Sequence, residues 1–225
     1  MVKKIRLLGM ELDNYTLREE IMRSEDFSHK QELNIIRTVS IEMLSMAAES
    51  QAVRDGIAQA DLLIVGDSEI LTEAGIYSSQ RLREASEHGF MREFLKARVR
   101  SQSSLFLVAQ DAEELNAFME FLKIKYENMV IVGTYLLDAC SKDYDTMINE
   151  INAAAPDVIL SALTSPQEDS FLLQEKEKIS ARVWYSLGAG YQNAKKKQSF
   201  FLRFQQLIHK GRFKNMIHSY EDRNG

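Results

Sequence analysis

The chain has one cysteine, two prolines and ten glycines in 225 residues, and each scarcity excludes something. A lone cysteine, Cys140, rules out an internal disulfide, so nothing here requires an oxidising compartment. So few prolines and glycines speak against a collagen-like or disordered chain. No stretch approaches the ~20 uninterrupted apolar residues that span a bilayer. The basic start, Met1-Val2-Lys3-Lys4-Ile5-Arg6, runs into Glu11 and Asp13 too soon for a secretory leader. A cytoplasmic protein is the expectation. The four histidines (His29, His88, His209, His218) show no metal-ligand spacing, and no Gly-x-Ser-x-Gly nucleophile motif occurs. The sequence therefore predicts neither a metal site nor a cofactor.

What remains is an ordinary globular composition, 45% hydrophobic and 27% charged, enough for one substantial core and too short for two large domains. The net charge of -5 is unevenly spread. Asn193 to Tyr220 carries +7 with no acid, while residues 1–192 carry -11. An acidic body does not suit nucleic acid, whereas the basic C-terminal segment suits an anionic partner.

Short apolar runs alternate with helical periodicity. Strands are expected at Ile5–Leu8, Asn34–Val39, Leu62–Val65, Ser104–Ala109, Val130–Gly133, Asp157–Ala162 and Val183–Leu187. Helices are expected around Leu17–Met22, after Ser40, after Asp111, around Tyr144–Ile151, and from Pro166 to about Ile179. Nearly continuous apolar strands separated by helices predict an α/β, Rossmann-like fold, a mostly parallel sheet covered on both faces. We expect one such domain over residues 1–194 and a short basic helical appendage over 195–225.

Ligands of open α/β sheets bind beyond the carboxyl ends of the strands. Asp67 is the carboxylate directly at such an end, which makes it the candidate general base; the plainer alternative is a helix cap. Thr38 and Ser40 are placed to donate to a sugar or phosphate, or to cap a helix. Glu168 and Asp169 suit the first turn of a helix. Gly188-Ala189-Gly190 is a loose phosphate-approach turn or an ordinary tight turn. In the basic segment, Phe200, Phe201, Phe204, Leu207 and Ile208 share a helical face, followed by Gly211 and by Phe213, Met216 and Ile217. That face either lies on an anionic membrane surface or packs on the body. Ten methionines and eleven phenylalanines leave a homo-oligomeric interface open beside the core reading.

The order of these segments resembles the bacterial WecG/TagA/CpsF glycosyltransferases, from about Leu7 to about Gln192. Leu8-Gly9-Met10-Glu11-Leu12-Asp13 is similar to the family's Gly-Val-Pro-Val-Asp, and Thr38-Val39-Ser40-Ile41-Glu42 to its Thr-Pro-Asn-x-Glu. Ala60 to Ser68 resembles Ala-Asp-Leu-x-x-Pro-Asp-Gly with one residue added, and Val132-Gly133-Thr134-Tyr135 its Val-Gly-Thr segment. The longest similarity runs from Ile151-Asn152-Ala153 through Pro156-Asp157 to Leu163, then Pro166-Gln167-Glu168. The resemblance implies transfer of a sugar from a UDP-sugar to a polyprenyl-diphosphate-linked saccharide at the inner membrane face, with inversion and no metal. By position it implies Asp67 as base, and Thr38, Ser40, Gln167, Glu168, Gly188, Gly190 and Gln192 around the substrate.

Several of those positions have changed. Ser40 replaces an Asn, and Asp67 matches the catalytic Asp once the extra residue is placed before the turn. A gapless match puts Glu168 where the family has Gln; a one-residue deletion returns Gln167 to that role. Gln192 replaces an Asp. A carboxylate at Glu168 beside a diphosphate would cost ~1 kcal/mol or more in a partly buried site. A catalytically silent relative, acting as a binding or scaffolding subunit, is the second reading. The family's C-terminal Arg-Ala-Pro region is replaced by the basic, Phe-rich segment over 195–217, for which the resemblance implies membrane docking.

Overall fold

The structure, a computed structural model, describes residues 4–137, 144–187, 213, 216 and 217. The chain opens with a hairpin, β1 (Lys4–Leu7) and β2 (Met10–Asp13), turned by Leu8 and Gly9 at φ 52° and 75°. The expected single strand at Ile5–Leu8 is thus one arm of a pair. The two positive φ values make a two-residue turn whose twist matches the strands it joins.

Beyond the hairpin come α1 (Leu17–Phe27), β3 (Asn34–Val39), α2 (Ile41–Glu49), α3 (Gln51–Ala58) and β4 (Leu62–Val65). Three helices follow, α4 (Ser68–Glu73), α5 (Ser79–Ser86) and α6 (Gly89–Ser101), and then β5 (Ser104–Ala109), α7 (Ala112–Lys125) and β6 (Val130–Leu136). The chain continues through α8 (Tyr144–Ala154), β7 (Val158–Ser161), α9 (Gln167–Glu175), a short 3-10 turn and β8 (Val183–Ser186). The helical end near Ile179 is therefore a shorter α9 plus that turn, which spans Lys176–Lys178.

β3 to β8 form one six-stranded sheet in the order β4-β3-β8-β7-β5-β6, parallel throughout. The fold is the expected Rossmann-like α/β arrangement. Strand residues alternate between faces. Ile36, Leu107, Leu160 and Tyr185 pack with Phe90 and Phe94 of α6 and Phe118 of α7 on one side. Ile35, Phe106, Ile159 and Trp184 pack with Met147, Ile148 and Ile151 of α8 and Phe171 of α9 on the other. A third cluster joins the hairpin to α2, α3 and α4. It takes in Phe213 and Ile217 from the expected appendage, 2% and 5% exposed, with Met216 packed against it.

Several aspartates that carry the family resemblance hold this frame together. Asp61 accepts from Ile35 N at 2.8 Å, and Asp157 accepts from Ser104 N and its hydroxyl, both at 2.9 Å. Each thereby ties the start of one strand to its neighbour. Asp13 accepts from Leu63 N at 2.9 Å and pairs with Lys4 at 2.8 Å, which locks the hairpin to β4. Buried backbone donors must be paired, so these carboxylates answer a structural demand. Asn152 does the same for α8, accepting from Ser180 N at 2.7 Å and donating to the Lys178 carbonyl at 2.8 Å.

Candidate functional site

The carboxyl ends of β3, β4 and β8 stand side by side, and a narrow cleft opens there between the sheet and the helices α1, α5 and α6. Thr38 and Tyr185 present hydroxyls to it, 3.2 Å apart, from adjacent strands. Gly66 forms its floor. A Cβ there would stand 2.8 Å from Thr38 Cγ2 and 3.1 Å from the Val39 carbonyl, so β3 and β4 approach this closely only around a glycine. Gly66 N donates to that same carbonyl at 2.9 Å.

Asp67 follows Gly66 and precedes α4, yet its side chain does not cap that helix. Its Oδ2 accepts from Ile41 N, the first amide of α2, at 2.8 Å. Ser40 Oγ accepts from Met43 N at 3.1 Å, so the two residues divide the open donors of α2 between them. A helix N-terminus backed by a carboxylate is thereby fixed beside the Thr38–Gly66 floor. The structure brings Thr38, Ser40 and Asp67 together across the ends of β3 and β4.

Glu168 is elsewhere. It lies in the first turn of α9 on the opposite face of the sheet, 1% exposed, and accepts from Trp184 Nε1 at 2.8 Å. Its other oxygen is 3.6 Å from Arg37, which is fully buried and also paired with Asp169. Burial pushes the Glu168 carboxyl above its ordinary range, opposed by Arg37.

Gln167 is half-buried in a separate polar group at the ends of β5 and β7. It accepts from Gln110 Nε2 at 2.7 Å, and Thr164 Oγ1 donates to Gln110 Oε1 at 3.0 Å. Gly188, Gly190 and Gln192 lie outside the described residues.

The cleft contains groups that sequence reasoning missed. Arg81 of α5 points into it, 3.2 Å from Glu84 and 3.9 Å from Glu20, with its side chain 12% exposed. Glu20 of α1 is 5% exposed, and burial raises its pKa to about 8 although Arg81 lowers it. His88, at the entry to α6, is half-buried in the cleft wall; burial lowers its pKa and the Asp67 charge opposes that shift. Glu20 had a legible signal, because it interrupts the apolar face that Leu17, Ile21 and Phe27 trace along α1. Arg81 and His88 had none, since both stand on short polar segments without periodicity.

Among the described residues no group of three histidine, cysteine or acidic side chains is placed to hold a metal ion. No helix among them is long and apolar enough to cross a membrane. The site is one of hydroxyls, a helix N-terminus, three carboxyl groups (Glu20, Asp67 and Glu84), a guanidinium and an imidazole. Such a set can hold a polar ligand by hydrogen bonds and move a proton.

No curated protein matches the chain. Residues 5–198, which take in the hairpin, the whole sheet and every part of the cleft, match the glycosyl transferase WecG/TagA/CpsF family, and the chain belongs to it.

Proposed function

We propose that the protein is a glycosyltransferase of polysaccharide synthesis that takes its sugar from a UDP-sugar. The acceptor is a polyprenyl-diphosphate-linked saccharide at the inner face of the membrane. The family supplies the transferase class. The observation that carries the reading is the position of Asp67, fixed by Ile41 N beside the Thr38–Gly66 floor at the carboxyl end of β4.

In this reading the donor lies across the ends of β3 and β4, within reach of the hydroxyls of Thr38 and Ser40. The acceptor hydroxyl approaches the anomeric carbon from the side opposite UDP, and its proton leaves toward Asp67. The new bond forms as UDP departs, which inverts the anomeric centre. Positioning the two substrates and removing one proton is all the protein needs to do. Gln167 would meet the substrate from the ends of β5 and β7, and Gly188, Gly190 and Gln192 from beyond β8.

One observation favours a silent binding subunit instead. Arg81, a cation suited to a diphosphate, is already engaged by Glu84 and Glu20. Calorimetric titration with UDP, UDP-N-acetylmannosamine and UDP-glucose separates the two readings. Micromolar binding that survives in Asp67→Asn, with turnover reduced roughly 100-fold or more, is the expected result for a proton-accepting group. No nucleotide binding at millimolar concentration would remove the transferase reading.

A further inference from the structure

At the carboxyl ends of β5 and β7, three side chains form a line of hydrogen bonds with a fixed direction. Thr164 Oγ1 donates to Gln110 Oε1 at 3.0 Å, and Gln110 Nε2 donates to Gln167 Oε1 at 2.7 Å. An amide that accepts at its oxygen turns its nitrogen to the other side. Gln167 Nε2 is closed off from water there and has no hydrogen-bond partner among the described residues. The Tyr144 hydroxyl at the start of α8 is near enough for this amide to favour its ionisation against burial, yet Nε2 makes no hydrogen bond to it.

A link that served only to hold β5 against α9 would not strand a donor, since an unpaired buried donor is costly and uncommon in folded proteins. A second polar atom is stranded beside it: Ser165 Oγ, two residues earlier, is also buried without a partner among the described residues. α9 begins on the same segment, after Pro166, with no side chain capping its first turn. Unused donors gathered on one short segment suit an acceptor oxygen. The ends of β7 and β3 are two strand spacings apart in the sheet, about 10 Å, a span that a sugar nucleotide held at Thr38 covers.

We propose that Gln110 is a positioning residue for the donor substrate: held by Thr164, it fixes the Gln167 amide so that Nε2 donates to an acceptor oxygen of the sugar nucleotide. The assignment rests on the transferase reading, in which Gln167 meets the substrate. The ligand oxygen takes its place between Gln167 Nε2 and the Tyr144 hydroxyl. Once the Gln110 contact is lost, the Gln167 amide turns freely and presents its oxygen as readily as its nitrogen. Lone pairs then face lone pairs, and the contact fails.

Calorimetric titration with UDP, UDP-N-acetylmannosamine and UDP-glucose tests this, with the thermal midpoint of each variant measured alongside. Gln110→Met keeps the length of the side chain and removes the amide, and affinity for the UDP-sugars should fall roughly 10-fold, as for one lost hydrogen bond. Thr164→Val should weaken binding in the same direction, while Thr164→Ser, which keeps the hydroxyl, should bind as the wild type does. A double-mutant cycle separates positioning from a merely structural contact. Gln110→Met should cost no further affinity once Gln167→Met is present, because Gln110 acts only through Gln167. A loss already seen with UDP places the acceptor oxygen on the diphosphate, and a loss confined to the UDP-sugars places it on the sugar; either result supports the assignment. Gln110→Met binding every nucleotide within about twofold of wild type overturns it, as does an undiminished loss in the Gln167→Met background. Both of those outcomes leave the transferase reading standing. A wild-type protein that binds no nucleotide at millimolar concentration overturns that reading and the positioning role with it.

Discussion

Glu20 holds its proton because of where α1 puts it. Leu17 and Ile21 press the helix onto the sheet, and the carboxyl between them goes into the cleft wall at 5% exposure. Arg81 at 3.9 Å offsets only part of the lost hydration, so burial raises the pKa from 4.5 to about 8. The unfolded chain releases this proton near pH 4.5, while the folded chain keeps it to about pH 8. The folded state therefore binds more protons across that window, and stability falls as pH rises through it. Glu20→Gln removes the titration and keeps the shape. The variant should match the wild type near pH 4 and exceed it by roughly 4 kcal/mol at pH 8 in urea unfolding. Equal stability at both pH values would show that Glu20 ionises freely in the fold.

At the scale of elements, Arg37 couples the sheet to α9. It stands on β3 one residue before Thr38, fully buried, and reaches Asp169 and Glu168 in the first turn of α9. Asp169 in turn fills the space over Gly56 of α3, where a Cβ would stand 2.8 Å from Asp169 Cγ. Arg37 Nε and Asp169 Oδ2 have no hydrogen-bond partner among the described residues, so this pair is incompletely satisfied before any mutation. Removing one partner leaves the other charged and buried, which typically costs 3–5 kcal/mol; removing both with apolar residues of similar volume is nearly neutral. Arg37→Met should accordingly lose about 3–5 kcal/mol in chemical denaturation, and Arg37→Met/Asp169→Leu should recover most of it. Gly56→Ala should disrupt the same contact. If the double variant were as unstable as the single one, the pair would contribute more than it costs.

The parts of the fold legible in the sequence follow the same physics. A parallel strand covered on both faces has to be apolar nearly throughout, so β3, β4, β5, β7 and β8 declare themselves. The opening hairpin did not, because the turn that makes it rests on Leu8 as well as Gly9, and leucine carries no turn signal. The stretch of α4 and α5 stayed blank for a related reason. α4 and α5 are only six and eight residues long, too short for periodicity to show. Arg81 and His88 sit in and just beyond that blank, so the cation and the imidazole of the cleft were missed together. Asp67, Thr38 and Ser40 were legible because strand ends were. The position of Glu168 was legible and its surroundings were not, since a local motif does not reveal which face of the sheet a helix will cover.

For the molecule as a whole, the two properties of the C-terminal segment come apart. Phe213, Met216 and Ile217 join the cluster formed by the hairpin, α2, α3 and α4, so that part of the apolar supply is spent on the body. The charge is a separate quantity: +7 between Asn193 and Tyr220 against -11 over residues 1–192. Replacing a buried phenylalanine by alanine costs about 3–5 kcal/mol, so Phe213→Ala should lower the thermal midpoint clearly. Attraction of the basic residues to an anionic surface is worth about 1 kcal/mol each near it and is screened by salt. The protein should therefore sediment with phosphatidylglycerol vesicles at low ionic strength and not with phosphatidylcholine vesicles, and should be released by salt. Charge reversal at Lys195, Lys196 and Lys197 should weaken that binding with little effect on the thermal midpoint, and Phe213→Ala should do the reverse. If Phe213→Ala abolished vesicle binding while the fold held, the apolar residues would be serving the membrane as well as the core. The separation of anchor from charge would then be wrong.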